Sequence, residues 1–187
     1  MPRPGKGILV LFVLLIAGCA TPKWTQVGGE YRNAPLKFLV DLPQGWMRVD
    51  DKNGLMVTRE GFPLQMIFVN RHDISKPLAH TKKKILPGML PQEVAEVALD
   101  QFHSNPGYKN LEILENRPAT IGGQSGFRAV FTDRSEKGLR SKEVFCGFLL
   151  KDQFYFLRYI APQRYYFDRD LETFENVVRS FRLIQDS

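Results

Sequence analysis

Residues that could act as nucleophiles, metal ligands or acid-base groups are few and scattered in this sequence. The three histidines, His72, His80 and His103, lack the spacing of a zinc site, and Cys146 has no cysteine partner nearby. The apolar neighbours of Cys146 predict a buried thiol with a raised pKa, which is typical of a core residue. We therefore predict no catalytic residue, no metal site and no cofactor.

Motifs for covalent or phosphate chemistry are also missing. The glycine-rich segment 122–126 has neither the Lys-Ser or Lys-Thr pair of a phosphate-binding loop nor a Gly-x-Ser-x-Gly elbow, and it is interpreted as a hairpin turn. The chain is accordingly interpreted as a non-enzyme. An active site assembled from residues far apart in sequence stays open as an alternative.

One concentrated run of positive charge is a candidate binding site. Lys82, Lys83 and Lys84 follow His80 in the irregular stretch 70–88, and loops of this kind often carry binding residues. Each basic residue near an anionic membrane contributes about 1 kcal/mol of attraction. The alternative is a charged loop that only keeps the surface soluble.

A second candidate is an aromatic and basic cluster before the last predicted helix. It comprises Tyr159, Arg164, Tyr165 and Tyr166, with Arg158 close by in sequence. Tyr and Arg are enriched at the energetic centres of protein interfaces. The alternative interpretation is packing at the edge of a sheet.

The N-terminal segment has the order of an export signal. Arg3 and Lys6 precede an apolar run at 8–17, which ends in Gly18-Cys19. A membrane-spanning helix needs about 20 apolar residues, so this run is too short to span. We predict a cleaved signal peptide over residues 1–18.

The end of the run, Ile16-Ala17-Gly18-Cys19, resembles the lipobox of bacterial lipoproteins. The resemblance implies that Cys19 is acylated, palmitate being a typical chain, and that it becomes the first residue of a membrane-anchored protein. Ala20 in place of aspartate implies the periplasmic face of the outer membrane rather than the inner membrane. Residues 19–29 are interpreted as the lipidated N-terminus and a tether. The alternative is an ordinary secretory signal with an incidental cysteine.

Composition places the remainder in the ordinary globular class. The 187 residues are 43% hydrophobic and 25% charged, with a formal charge of +6 spread along the whole chain. A spread charge excludes a basic nucleic-acid-binding arm. We predict a single domain over residues 30–187, because no shift in composition marks a second one.

Alternating apolar residues and turn signals predict mostly antiparallel strands. The predicted strands cover residues 37–42, 46–49, 55–59, 64–69, 111–115, 125–131, 144–150 and 153–160. Segment 43–45 is interpreted as a turn between the first two strands, segment 51–54 as a tight turn of the Asn-Gly kind, and Lys151-Asp152 as the turn of a hairpin between the last two strands. The last strand is apolar on both faces, so we expect it at the centre of the sheet.

Two helices are predicted. The first begins at about Pro91, with Glu93 near the positive end of its dipole, and ends at Asn105-Pro106-Gly107. The second is expected to be capped by Asp168, with an apolar stripe formed by Leu171, Phe174, Val177, Val178 and Phe181.

The order of elements, the Pro-Gln-Gly-Trp segment at 43–46 and the Ser-Phe-Arg segment at 180–182 resemble the PsbP and Mog-type αβα sandwich. The resemblance implies an α+β fold in which helices sandwich an antiparallel sheet. It implies binding or adaptor roles more than catalysis, and fold alone does not fix function.

Our leading hypothesis is a non-enzymatic envelope lipoprotein that binds an unidentified envelope protein or supports an assembly, anchored to the membrane by acyl chains. The alternative is binding of anionic lipid, lipopolysaccharide or cell-wall polymer through Lys82–Lys84. No nucleic-acid partner is expected.

Overall fold

The structure, a computed structural model, describes residues 23–185, which form nine β-strands and two α-helices. The strands are β1 Thr25–Asn33, β2 Phe38–Asp51, β3 Gly54–Thr58, β4 Met66–Asp73, β5 Lys109–Ile121, β6 Gln124–Arg134, β7 Arg140–Leu150, β8 Gln153–Pro162 and β9 Arg182–Leu183. The helices are α1 Pro91–His103 and α2 Tyr166–Ser180. The predicted signal peptide and Cys19 lie outside the described residues.

All strands belong to one antiparallel sheet in the order β1-β2-β3-β4-β8-β7-β6-β5, and β9 pairs with β2. The central position predicted for β8 is confirmed: it lies between β4 and β7, with buried side chains on both of its faces. The predicted hairpin turns are confirmed at Lys52-Asn53, Gly122-Gly123 and Lys151-Asp152, each linking paired strands through two residues.

Each face of the sheet carries one helix and its own hydrophobic cluster. On the α1 face, Val94, Ala98 and Phe102 pack against aromatic residues of β6, β7 and β8. On the α2 face, Phe174 and Val177 pack against β2, β7 and β8. The antiparallel α+β fold is therefore confirmed. The structure differs from the expected sandwich in the share of sheet and helix. One broad sheet dominates, and each helix covers only part of one face of it.

The helices form largely where the pattern predicts. Pro91 is the first residue of α1, and the Glu93 carboxylate accepts the Leu90 N–H at 2.6 Å. The predicted cap of α2 is wrong: Tyr165 precedes the helix, and Asp168 lies inside its first turn. Asp168 still stabilises the helix there, because its negative charge interacts favourably with the positive end of the helix dipole.

The N-terminal region differs from its expected layout. Residues 25–29, expected in a tether, belong to edge strand β1. The predicted turn at 43–45 is wrong, because β2 continues through it. Pro43, Gln44 and Gly45 instead form a bulge opposite Gly28, and Gly45 takes a φ of +78° that other residues rarely adopt.

Two further differences concern short segments. His72 and Asp73, expected in a loop, end β4, and the two-residue strand β9 was not predicted. Within residues 23–185, no helix has the length and apolar character needed to cross a membrane.

Candidate functional site

The junction between β8 and α2 holds an exposed tyrosine in an unusual backbone conformation. The Tyr166 N–H donates to the Arg164 carbonyl at 2.9 Å, closing a γ-turn around Tyr165. Tyr165 has φ +69° and ψ −58°, and 69% of its surface is exposed. A conformation of this kind costs about 1–3 kcal/mol and is concentrated at functional sites.

Arg169 holds the two tyrosines of this junction. Its guanidinium carbon lies 5.1 Å from the Tyr165 ring centre and 5.0 Å from that of Tyr166. The same group donates to Asp170 Oδ2 at 2.7 Å and to Glu60 Oε1 at 2.9 Å. Hydrogen bonding to Asp170 raises the pKa of Arg169 above its ordinary value. The rings are therefore fixed by a permanently charged group.

Asp170 joins this junction to the β3–β4 loop. Its carboxylate is 2% exposed and accepts Arg59 Nη1 at 3.3 Å and Gln65 Nε2 at 3.4 Å, in addition to Arg169. The loop between Arg59 and Gln65 is thus tied to α2 at two points. It carries Phe62, which is 73% exposed at the same end of the sheet.

A cavity of about 580 Å³ lies beside Arg164, lined by residues 138–140 and 162–164. Leu139 in its wall is 42% exposed. Arg140 and Arg164, also in the wall, form no ion pair within the part of the chain that the structure describes. We call the surface formed by Phe62, Leu139, Arg140, Arg164, Tyr165 and Tyr166 the aromatic end.

Tyr159, predicted to join this cluster, is not on the surface. It is fully buried, with its ring stacked against Phe167 and Phe174. Its hydroxyl donates to the carbonyls of Tyr166 at 2.9 Å and Phe167 at 3.2 Å, and burial raises its pKa. Side chains alternate along β8, which places Tyr159 on the same face as Leu157. Its burial could therefore have been predicted from the sequence. Tyr159 supports the start of α2 from beneath.

The other predicted candidate lies on the opposite face of the sheet. Lys82, Lys83 and Lys84 are all exposed, in the loop that packs beside α1. Lys83 Nζ lies 3.0 Å from Asp100 Oδ1, and hydrogen bonds from Thr81 and Lys83 lower the pKa of Asp100. The structure therefore does not bring the lysine loop and the aromatic end together.

Cys146 is a free thiol on β7 with 1% exposure, and burial raises its pKa to about 12. This confirms its interpretation as a core residue. Over residues 23–185, no group of three or more His, Cys, Asp or Glu side chains is arranged to hold a metal ion. His72 Nε2 contacts the Lys76 carbonyl at 3.0 Å, and His103 ends α1.

Sequence reasoning missed a buried polar cluster on the α1 face. Arg158 Nε donates to Glu143 Oε2 at 2.6 Å, and Arg158 also donates to the Tyr108 hydroxyl. Asp133 lies beside Glu143, and burial, followed by the charge of Glu143, raises the pKa of Asp133 to about 7. The lack of regular spacing among these residues hid the cluster, because three strands and the segment before β5 bring them together.

The two carboxylates of this cluster are closed to solvent. Asp133 is 6% exposed and Glu143 is not exposed at all, and the Phe102 ring of α1 covers the Arg158 guanidinium at 4.8 Å. A carboxyl group acts on a substrate only where the two come within hydrogen-bond reach. The geometry therefore fits a structural network better than an active site.

No family model matches the chain, and no curated protein matches it. Solved structures with a similar fold were found. The solution structure of cyanobacterial PsbP from Synechocystis sp. PCC 6803 is 13% identical, with a TM-score of 0.60 over 89% of this chain and 95% of that one. The Saccharomyces cerevisiae Ran-binding protein Mog1p is 12% identical, with a TM-score of 0.55 over 86% and 97% of the two chains.

A crystal structure from Bacteroides thetaiotaomicron is 11% identical, with a TM-score of 0.54 over 85% of this chain and 49% of that one. At such low identities a likeness carries information about the fold and not about partners or activity. The chain thus shares the fold of the PsbP-like and Mog1 structures.

Proposed function

We propose that the protein is a non-enzymatic, lipid-anchored envelope protein that holds a protein partner at the aromatic end. One observation carries the binding proposal: exposed Phe62 and Tyr165 are held at one end of the sheet, Tyr165 in a strained turn. Large aromatic surfaces on a rigid scaffold are typical of interface centres.

The charge of the aromatic end indicates the chemistry of the partner. Arg140 and Arg164 flank the exposed side chains of Leu139 and Tyr165, and neither arginine has an ion pair in the described chain. Complementary charge accelerates association and selects the partner. The surface therefore fits an acidic protein segment that carries apolar side chains.

The anchor proposal rests on the lipobox resemblance at Cys19. Five residues separate Cys19 from the start of β1 at Thr25. An extended chain reaches at most about 3.5 Å per residue, so an acylated Cys19 keeps the domain within about 20 Å of the membrane surface. Two or three acyl chains make such an anchor effectively permanent. Ala20 favours the periplasmic face of the outer membrane.

Cys19→Ser tests the anchor. Mass spectrometry of the membrane-extracted protein is expected to detect an acylated N-terminal Cys19. The Cys19→Ser chain is expected to lose this modification and to leave the membrane fraction. Equal processing and membrane retention of both chains would contradict the anchor proposal.

Tyr165→Ala tests the binding surface. Crosslinking in intact cells, followed by quantitative mass spectrometry, is expected to recover one stoichiometric protein that the variant loses. Leu86→Ala is the matched control, because Leu86 is 53% exposed and lies in the loop before α1. Recovery of the same protein by Tyr165→Ala, or its loss from Leu86→Ala as well, counts against the aromatic end.

The alternative function, binding of anionic lipid or polymer through Lys82–Lys84, has weaker support. Lys83 already pairs with Asp100, which leaves Lys82 and Lys84 to attract an anion. Replacing all three lysines with glutamine tests it. This alternative predicts that salt and the triple change both reduce association with anionic vesicles, and unchanged association removes its support.

A further inference from the structure

At the end of the sheet opposite the aromatic end, several turns converge on one groove. The Arg71 N–H of β4 donates to the Asn53 carbonyl of the β2–β3 turn at 2.8 Å. The Ile74 N–H donates to the Asp152 carbonyl of the β7–β8 turn at 3.0 Å. These backbone bonds fix the turns relative to one another, so the groove has a defined shape.

The groove consists of two adjoining cavities. One measures about 340 Å³ and is lined in part by Lys52 and Lys76, and the other measures about 840 Å³ and includes Lys151 and Arg182. Arg71 and Gln153 line both cavities and form the boundary between them. The larger cavity falls in the range of small-molecule sites, about 300–1,000 Å³.

Positive charge dominates the described lining. Its carboxylates are Asp73 and Asp152. Its basic side chains are Lys37, Lys52, Arg71, Lys76, Lys151 and Arg182, of which Arg182 also pairs with Glu30 at 3.5 Å. A cleft lined with one sign of charge concentrates ligands of the opposite sign.

Arg71 is the residue of the groove whose surroundings most favour a bound anion. Its side chain is half-buried, yet it has no carboxylate within 4.0 Å and no side-chain hydrogen bond in the described chain. Other arginines in half-buried positions are paired: Arg128 with Glu115 and Glu175, and Arg158 with Glu143. Removing a cation from water without a partner is costly, so the position of Arg71 favours a bound anion.

We propose that this groove binds a ligand carrying two or more phosphate groups, with Arg71 between them. The Arg71 guanidinium suits a bidentate contact with phosphate oxygens, and point charges come from Lys52 and Lys76 in one cavity and from Lys151 in the other. One phosphate group occupies each cavity. The site is independent of the proposed protein-binding function and does not involve Lys82–Lys84.

Inorganic tripolyphosphate is the probe, titrated calorimetrically into the full chain in nonionic detergent. Saturable binding is expected, at least about tenfold tighter than binding of inorganic phosphate, because only the longer anion reaches both cavities. Arg71→Gln is expected to weaken binding by at least about tenfold. Arg134→Gln is the matched control, since Arg134 is an exposed arginine at the opposite end of the sheet.

Lys76→Gln is a second variant, which we expect to fold normally. The exposed Lys76 side chain has no hydrogen bond or ion pair in the described chain. It is expected to weaken binding by a few-fold with unchanged thermal unfolding. Absence of saturable binding, equal affinity for phosphate and tripolyphosphate, or equal losses from Arg71→Gln and Arg134→Gln overturns the proposal.

Phosphatidylglycerol vesicles identify the source of the phosphate. Vesicle association that tripolyphosphate displaces and Arg71→Gln weakens supports a lipid headgroup. Tripolyphosphate binding without such vesicle association supports a soluble phosphorylated ligand.

Discussion

Replacing Asp133 with asparagine is expected to stabilise the protein above pH 7 and to have little effect below pH 4. Asp133 and Glu143 lie on neighbouring strands, and Asp133 Oδ2 and Glu143 Oε1 are buried without a hydrogen-bond donor in the described chain. Burial and the charge of Glu143 raise the pKa of Asp133 from 3.8 to about 7, although Arg158 opposes the shift. Tyr108, the other titratable group of this cluster, hydrogen bonds to Arg158.

The sign and size of the effect follow from proton binding. Between pH 4 and pH 7 the folded protein retains a proton on Asp133 that the unfolded chain releases, so the free energy of unfolding falls as pH rises through this window. Each unit of pKa shift corresponds to about 1.4 kcal/mol, which limits the loss above pH 7 to about 4 kcal/mol. Asparagine carries no charge at any pH, and its amide can donate to Glu143 Oε1.

Urea unfolding followed by the fluorescence of buried Trp46 provides the assay. The Asp133→Asn variant is expected to gain between about 1 and 1.7 kcal/mol at pH 5 and between about 2 and 4 kcal/mol at pH 8. Asp152→Asn, in the exposed β7–β8 turn, is the control and should show no such dependence. A gain that does not change with pH, or a less stable variant at pH 8, would refute the reasoning.

Three further predictions concern the core. Phe174→Ala removes a fully buried ring that stacks on Tyr159, and it is expected to lower the free energy of unfolding by about 3–5 kcal/mol in urea titrations; a loss below about 1 kcal/mol contradicts this packing. Gly126→Ala sets a methyl carbon 2.3 Å from the Gly147 carbonyl oxygen, so a loss of at least about 2 kcal/mol is expected, whereas a neutral change argues against this β6–β7 contact. Cys146, which is buried with a raised pKa, is expected to resist iodoacetamide in the folded protein and to react in urea, as intact mass would report; rapid labelling of Cys146 without urea contradicts its burial.

Sequence periodicity predicted the elements whose burial is regular. The alternation in 153–160 and the helical stripe through Phe174 and Val177 reflect contacts with one or two faces, and both features were located correctly. The turn at 43–45 was wrong because Pro and Gly mark a bulge as well as a turn, and pairing with β1 decides between them.

The sites were harder to predict, because they depend on contacts between distant residues. Arg164, Tyr165 and Tyr166 were identified as neighbours in sequence, but Phe62 joins them only through the contacts of Asp170 and Arg169. The groove around Arg71 combines residues from three turns and from β9, which no local pattern connects. Lack of a partner for Arg71 is likewise visible only after the chain has folded.

Site-specific photocrosslinking from position 165 tests the central claim, that the aromatic end holds a protein partner. A benzophenone side chain replaces Tyr165, which is 69% exposed, and Leu114, which is 49% exposed on edge strand β5, is the control position. Irradiation of intact cells is expected to yield one discrete protein adduct from position 165 and none from position 114. The same adducts from both positions, or no protein adduct from position 165, would contradict the account.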